Sequence, residues 1–515
     1  MQLVFDALAG AAALVALIIA YRRHKSAEFV AARNRVEAQL EHARLYHEPF
    51  AAAAAQIGDE TAAARLAGVR AMAGLADDWP EHRQACVDVL CAYLRTPCSP
   101  APVLDLSPGD RPRRDAAREV RDTVFGIITA HLRPSAEVSW RNLNLDFTGV
   151  VFDRGDFSGV GFSGGQVSFG GAKFPSGQVS FAGAEFSGGG VSFAGAELSG
   201  AEVSFAGAEF SGGQVEFRRA RFSGSEVGFR GARFTGGEIS FGRTQSGDVG
   251  AGLGYAGFSG AEFSGGDISF SDAEFAGSLV GFGGAEFSGA QVGFGGAEFS
   301  AGKVSFADAT FARGEISYRG ARFSGGEISF GSARFSGAEV SFSGARFSGG
   351  EISFGFARFS GGQLSFNDAE FSGGRVDFRS ARFSGTRVSF ILSRFNGSQV
   401  GFRLAKFSGG EASFNGAKFT GGPVDFGNAR FSGGLVDFFA AEFSGGLVGF
   451  DGAHFTSEVS FLLAKFSGGE VDFSKVADWS YRPQFDGGGL QPSGVRLPGG
   501  SDASELCRGP SRAGA

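Results

Sequence analysis

Methionine occurs only 2 times in 515 residues, tryptophan 3 times and tyrosine 6 times. Ordinary enzyme cores mix Leu, Ile, Val, Met and all three aromatics, so this poverty argues against a standard doubly wound or barrel enzyme. Proline, at 14, and the lack of a Gly-X-Y period exclude collagen. Four cysteines do not make a disulfide scaffold. Cys86, Cys91 and Cys98 lack CxxC spacing and read as small buried hydrophobes, and Cys507 reads as a free thiol in a polar tail. The net charge of −7 is too mild to point to nucleic acid or an acidic substrate. An apolar content of 43 % is too high for bulk disorder. Two residues are in excess: glycine, 86 of 515 or about 17 % against a usual ~7 %, and phenylalanine, 59. So strong a bias implies one short unit repeated many times.

Ala7 to Tyr21 is an uncharged apolar run, extended by Leu3, Val4 and Phe5 and followed at once by Arg22, Arg23 and Lys25. A membrane-spanning helix needs ~20 residues, and positive charge after the run, not before it, suits an anchor better than a cleaved signal. The positive-inside rule then places the rest of the chain in the cytoplasm. Residues 1–25 are therefore expected to be a single-pass membrane anchor and 26–133 a juxtamembrane α-helical module. Leu66, Val69, Met72 and Leu75 form one apolar stripe, and Cys86, Val87, Leu90 and Leu94 another. Asp77 to Pro80 turn between them, which gives a HEAT-like hairpin. Asp115 to Leu132 reads as a third helix. His82 and His131 are single histidines on helices, with no companions to make a metal site.

From Phe147 the phenylalanines fall at steps of five, and then of alternating seven and five. Phe169 to Phe241 recur every twelve residues, and a second series offset by five includes Phe174, Phe186, Leu198 and Phe210. Residues 242–257 break the pattern, which resumes at Phe270 and runs every twelve residues to Phe450 with Tyr318 as the one exception. A cell reads V-S-F-A-G-A-E-F-S-G-G-Q, as in Val203–Gln214. Each Phe has Val, Ile or Ala two residues earlier, so both point one way on extended chain, and glycines supply corners. This periodicity predicts a β-solenoid over 141–475 whose coils stack Phe on Phe. A coil of one twelve-residue cell and a coil of two such cells both fit. Residues 482–515 are rich in Gly, Pro and Ser and are expected to form a disordered tail.

The five-residue start and the A-x-F core resemble the pentapeptide-repeat family over roughly Leu143 to Phe473. With the N-terminal run and the segment Ala76 to Arg95, the layout is similar to membrane-associated pentapeptide-repeat proteins of actinobacteria. The resemblance implies a right-handed quadrilateral β-helix, mainly β, behind a transmembrane helix and a small α-helical module. The chain departs from the family in that every second unit has seven residues, so that four sides would use two whole cells. Some family members resemble duplex DNA in shape and charge and bind DNA gyrase. Residues 141–480, with 34 acidic and 27 basic side chains, are far less charged than duplex DNA.

The residue before the second Phe of a cell is Glu at Glu262, Glu274, Glu286 and Glu298, then basic at Arg322, Arg334, Arg346 and Arg358. Glu315, Glu327, Glu339 and Glu351, seven residues upstream of those arginines, are expected to compensate them as surface ladders. No catalytic, cofactor-binding or metal-binding constellation is visible, and no cofactor is implied. His454 occupies the outward slot that Glu or Arg fills elsewhere. The expected function is that of a non-enzymatic, membrane-tethered scaffold with protein partners, self-association being open and nucleic acid disfavoured. The alternatives are a gyrase-directed DNA mimic and a purely architectural envelope-associated rod.

Overall fold

The computed structural model describes residues 21–26, 28, 33–34, 37, 41, 44–96, 110–198, 202–222, 226–241, 245–246, 255–275, 279–486 and 493–499. The chain divides into two compact units, Met1–Tyr93 with Cys98–Val124, and Leu94–Pro97 with Phe125–Ala515. The apolar run expected to be an anchor lies outside the described residues up to residue 20. Among the described residues no helix is long and apolar enough to cross a membrane.

The first unit is helical. Helix α1 (Ala62–Asp78) starts at Thr61, whose hydroxyl accepts the Ala64 N–H at 3.4 Å. A single 3₁₀ turn, Pro80–His82, leads into α2 (Arg83–Arg95). The turn is held by Trp79, which is buried and stacks between Tyr46 (4.8 Å) and His82 (4.0 Å). Val69, Met72, Ala73 and Ala76 are buried on α1, and Cys86, Val87, Leu90 and Cys91 on α2. Cys86 and Cys91 are free thiols, and burial pushes Cys86 up to about 11. Helix α3 spans Asp110–Leu132, with Val120, Val124 and Ile128 buried.

The second unit is a β-solenoid of about 13 turns from 145 to 496. Its strands pair in parallel with residues one coil on, and the pairing decides the coil length. Glu202 pairs with Glu226 and Glu209 with Arg233, so the step from coil to coil is two cells. Three coils differ. Leu145 pairs with Val167, two residues short of that step, and Val436 with Val459, one short. Arg233 pairs with Glu262, five residues beyond it. This long coil absorbs the break in the sequence pattern as a five-residue insertion. The stack therefore resumes at Phe258, not Phe270: Phe258 lies 4.6 Å from Phe229 and 4.7 Å from Phe282.

A two-cell coil brings four inward positions around the axis, and the rings form four columns. We call them I to IV after Phe342, Phe347, Phe354 and Phe359. Within a column successive rings lie nearly parallel, as in Phe342–Phe366 at 4.8 Å and Phe354–Phe378 at 4.8 Å. Columns I and III meet edge to face on the axis, as in Phe354–Phe366 at 6.3 Å and 86°. Columns II and IV flank them at a tilt, as in Phe354–Phe359 at 6.0 Å and 49°. Both geometries are the preferred ones for aromatic quadrupoles, and flat rings fill a lumen of this width without gaps.

Glycine marks two kinds of corner. After most column I and III rings a β-turn closes, as where Ala333 N–H donates to Phe330 O at 3.1 Å, and its third residue, Ser332 there, has positive φ. Space there is open, and a Cβ on Gly320 would meet nothing within 4 Å. After many column II or IV rings a Gly-Gly pair, such as Gly349-Gly350 or Gly373-Gly374, touches the preceding coil. A Cβ on Gly350 would lie 2.5 Å from Gly325 O, so only glycine fits.

Both ends of the solenoid are covered. Phe125 packs edge-on against Phe157 at 4.6 Å, and buried Trp140 stacks on His131 at 4.0 Å. At the far end Trp479 meets Phe455 (5.7 Å) and Phe473 (5.3 Å) edge-on. The tail expected to be disordered from 482 instead adds two strands, Gln484–Phe485 and Val495–Arg496, and Phe485 extends column I by stacking on Phe461 at 5.0 Å. Strand-capable residues with an inward Phe found a coil to pair with, which composition alone did not signal. Residues 500–515 lie outside the described set.

Candidate functional site

The outward position before each column II or IV ring is charged in most coils, and the two-cell coil separates what reads in the sequence as one series into two columns. On column II acids and bases are interspersed, with no more than two like charges in succession among the described residues, as at Glu274 and Glu298, Arg322 and Arg346, and Arg394 and Lys418. Lys173 and Arg221 both pair with Glu197 (3.5 and 3.4 Å), Arg322 with Glu298 (2.5 Å), and Lys418 and Lys465 with Glu442 (3.0 and 3.8 Å). Hydrogen bonding and charge from Lys418, with Lys465 adding to it, hold the Glu442 carboxyl below the usual range.

Column IV is different. It begins acidic, and Arg141 and Arg233 pair with Glu185 and Glu209 (2.7 and 2.6 Å). After Thr310 it runs Arg334, Arg358, Arg382, Lys406, Arg430 and His454, each directly in register with the next. Among the described residues, none of the five from Arg334 to Arg430 has an ion-pair partner, and all five are exposed. Steps between the rings beneath them are 4.6 to 5.2 Å.

The expected compensation by glutamates seven residues upstream does not form. Glu327 instead pairs with Lys303 (2.8 Å) and Glu351 with Arg375 (3.9 Å), each one coil away. An outward pair in one cell lies on different strands, while residues one coil apart are direct ladder neighbours, so the ladder wins.

Two residues after each base a hydroxyl forms a parallel ladder. Ser360, Ser384, Ser408, Ser432 and Thr456 donate to Phe carbonyls of the preceding coil at 3.0 to 3.4 Å. Bases and hydroxyls line a groove of about 840 Å³ that ends at His454 and Asp478. The Ser480 hydroxyl and N–H, with His454, lower the Asp478 carboxyl against the opposing effect of burial. The groove is chemically simple: fixed cations over a polar floor whose hydroxyl protons are already engaged. Such a surface binds and orients anions.

The single histidines of the helices are held by aromatic neighbours. His82 lies on Trp79 and His131 on Trp140, and His131 Nδ1 is 2.7 Å from Ile127 O. Among the described residues no cluster of three or more His, Cys, Asp or Glu side chains is placed to hold a metal ion. The bases are visible in the sequence, but a one-cell period merges the two columns, and only the two-cell period separates them into an unbroken basic run. No protein-family model, no curated protein and no solved structure matches this chain.

Proposed function

We propose that the chain is a non-enzymatic, membrane-tethered solenoid of the pentapeptide-repeat type, right-handed and four-sided, that holds out a rigid surface for protein partners. The A-x-F cells and a coil of two cells, each a unit of five and a unit of seven, support the type. The charged N-terminal flank supports the tether and a cytoplasmic solenoid.

One observation carries the partner-binding role. Phe356, Leu392, Leu404 and Leu463 stand at the turn position where many coils have glycine, with φ of 61°, 60°, 62° and 58°. They are 64, 55, 43 and 56 % exposed. A bulky residue at positive φ is strained by about 1–2 kcal/mol, and an exposed apolar side chain gains nothing from burial to offset it. Strain kept at an open surface points to a contact made outside the molecule. Leu392, Phe439 (41 % exposed) and Leu463 follow one edge, the column I turns. The basic column runs against duplex mimicry.

The test is capture of partners by full-length protein in membrane fractions. A triple variant, Leu392→Gly, Phe439→Ser and Leu463→Gly, is expected to stay folded and lose them. Retention of all partners, or recovery of the full-length chain in the soluble fraction, would overturn the corresponding part of the reading.

A further inference from the structure

We propose that the column IV groove binds a linear inorganic polyphosphate chain along the Arg334–Arg430 ladder. The site lies on a different surface from the apolar corners and does not depend on them.

The first support is the charge order. Like charges placed directly opposite one another in neighbouring strands destabilise a sheet, yet here five follow in register without a carboxylate between them. The cell does not require so long a run, because in column II the same position never holds more than two bases in succession before a glutamate follows. Neither does the flanking column cancel it. Five residues further on stand Glu339, Gln363, Arg387, Glu411 and Leu435, and Arg387 and Glu411 neutralise each other at 3.3 Å. One free carboxylate remains against five cations. A bound polyanion supplies the missing negative charge.

The second support is the shape and lining. The cations rise along a straight groove at one strand spacing per rung, over about 20 Å from first to last. A linear polymer matches that form, whereas a flat membrane does not follow a groove. The lining holds Arg, Lys, Ser, Thr, His and Asp, with no Phe, Tyr or Trp side chain and no large aliphatic one. Single-stranded nucleic acid needs faces on which bases stack, and acyl chains need apolar walls. An extended acidic peptide presents carboxylates on one face every ~6.6–6.8 Å, out of step with rungs about 4.8 Å apart. A phosphoanhydride chain carries a charge on every phosphate, more closely spaced than the rungs, so each rung finds an oxyanion. Guanidinium groups match phosphate oxygens bidentately, and four of the five rungs are Arg. With the hydroxyl protons of Ser360, Ser384, Ser408, Ser432 and Thr456 already given to carbonyls, recognition falls on the cations, and no covalent step is involved.

The test is binding of fluorescently labelled polyphosphate, tens of units long, to the full-length protein. Tight binding is expected, with log K falling against log salt at a slope of about −3.5, for five neutralised phosphates at about −0.7 each. The variant Arg358→Glu with Lys406→Glu, which restores alternation, is expected to weaken binding at least tenfold. Arg358→Gln with Lys406→Gln serves if the first fails to fold. Arg322→Glu with Arg394→Glu removes the same charge from column II and is expected to change affinity less than twofold. Equal losses in the two columns would show attraction by net charge alone and overturn the site. Single-stranded DNA, polyglutamate or phosphatidylserine vesicles binding as tightly as polyphosphate at matched charge would overturn the ligand assignment.

Discussion

Columns II and IV occupy the same position of the same cell, on the same backbone, over the same phenylalanine stack. One mixes acids and bases, with no more than two of one sign in succession, and pairs most of them between coils. The other places five bases in line and pairs none. The scaffold imposes neither order, because between Phe323 and Phe455 the interior beneath both is an unbroken row of buried phenylalanines: Phe347 and Phe383 are 2 % and 1 % exposed. What differs between the columns is therefore free to carry function, and what they share carries the fold.

The largest expected effect tests that shared interior. Phe347→Ala under column II and Phe383→Ala under column IV should each cost about 3–5 kcal/mol, the usual range for deleting a buried aromatic. Because each coil contacts only its neighbours, the loss should be local. Hydrogen exchange of the amides in the two adjoining coils is the right measure, since one global midpoint is ill defined for a long repeat array. Unequal losses under the two columns would show that the interior does distinguish the faces.

A buried hydroxyl calibrates the same interior. Tyr318 takes a column I slot between Phe294 and Phe342, each at 4.6 Å, and its Oη is buried without a hydrogen-bond partner. Burial also raises its phenol well above the ordinary value. Tyr318→Phe should stabilise these coils by about 1–3 kcal/mol, the cost of an unsatisfied buried polar group. Slower amide exchange around residues 294–342 would show the gain.

The interior was legible in the sequence because its signal is redundant: an inward Phe repeats for cell after cell, and the i−2 Val or Ala fixes which way each ring points. The coil length was not legible, since a pattern that repeats with each cell is satisfied by one cell per turn or two. That single ambiguity hid the candidate site, because it placed Arg334 next to Arg346, on another face, instead of next to Arg358. The two roles of glycine were merged for a similar reason. Gly320 and Gly350 look alike in the sequence, and only packing shows that the first faces open space and the second faces a carbonyl. The insertion at 242–257 read as a break because the chain pattern stops, whereas the ring stacks of columns I, III and IV do not.

Acid should separate the two columns. The folded Glu442 carboxyl is depressed below its ordinary value of 4.5 by its two lysines. A depressed carboxylate contributes stability above its unfolded pKa and loses it as pH falls through the folded value. Column II around 418–465 should therefore lose this contribution as pH falls below about 4.5. The ladder from Arg334 to Arg430 holds no carboxylate and should be indifferent. Amide exchange in the two regions between pH 6 and pH 3 compares them directly, and equal loss would remove the distinction.

The smallest effect concerns the charges themselves. Arg358→Glu with Lys406→Glu makes acid and base alternate along column IV. Opposite charges across a strand pair contribute roughly 0.2–1 kcal/mol each, and like charges take away similar amounts. The variant should thus be slightly more stable at low salt, and the gain should fade as salt rises, because the Debye length shrinks from about 10 Å at 0.1 M to about 3 Å at 1 M. Glu442→Lys in column II is the mirror experiment. It sets four like charges in line, from Arg394 through Lys418 to Lys465, and should lose stability, with the opposite salt dependence. If the polyphosphate site is real, the column IV variant that gains stability is also the one that loses binding. An unbalanced column that cost nothing to balance in either respect would have no reason to differ from its neighbour.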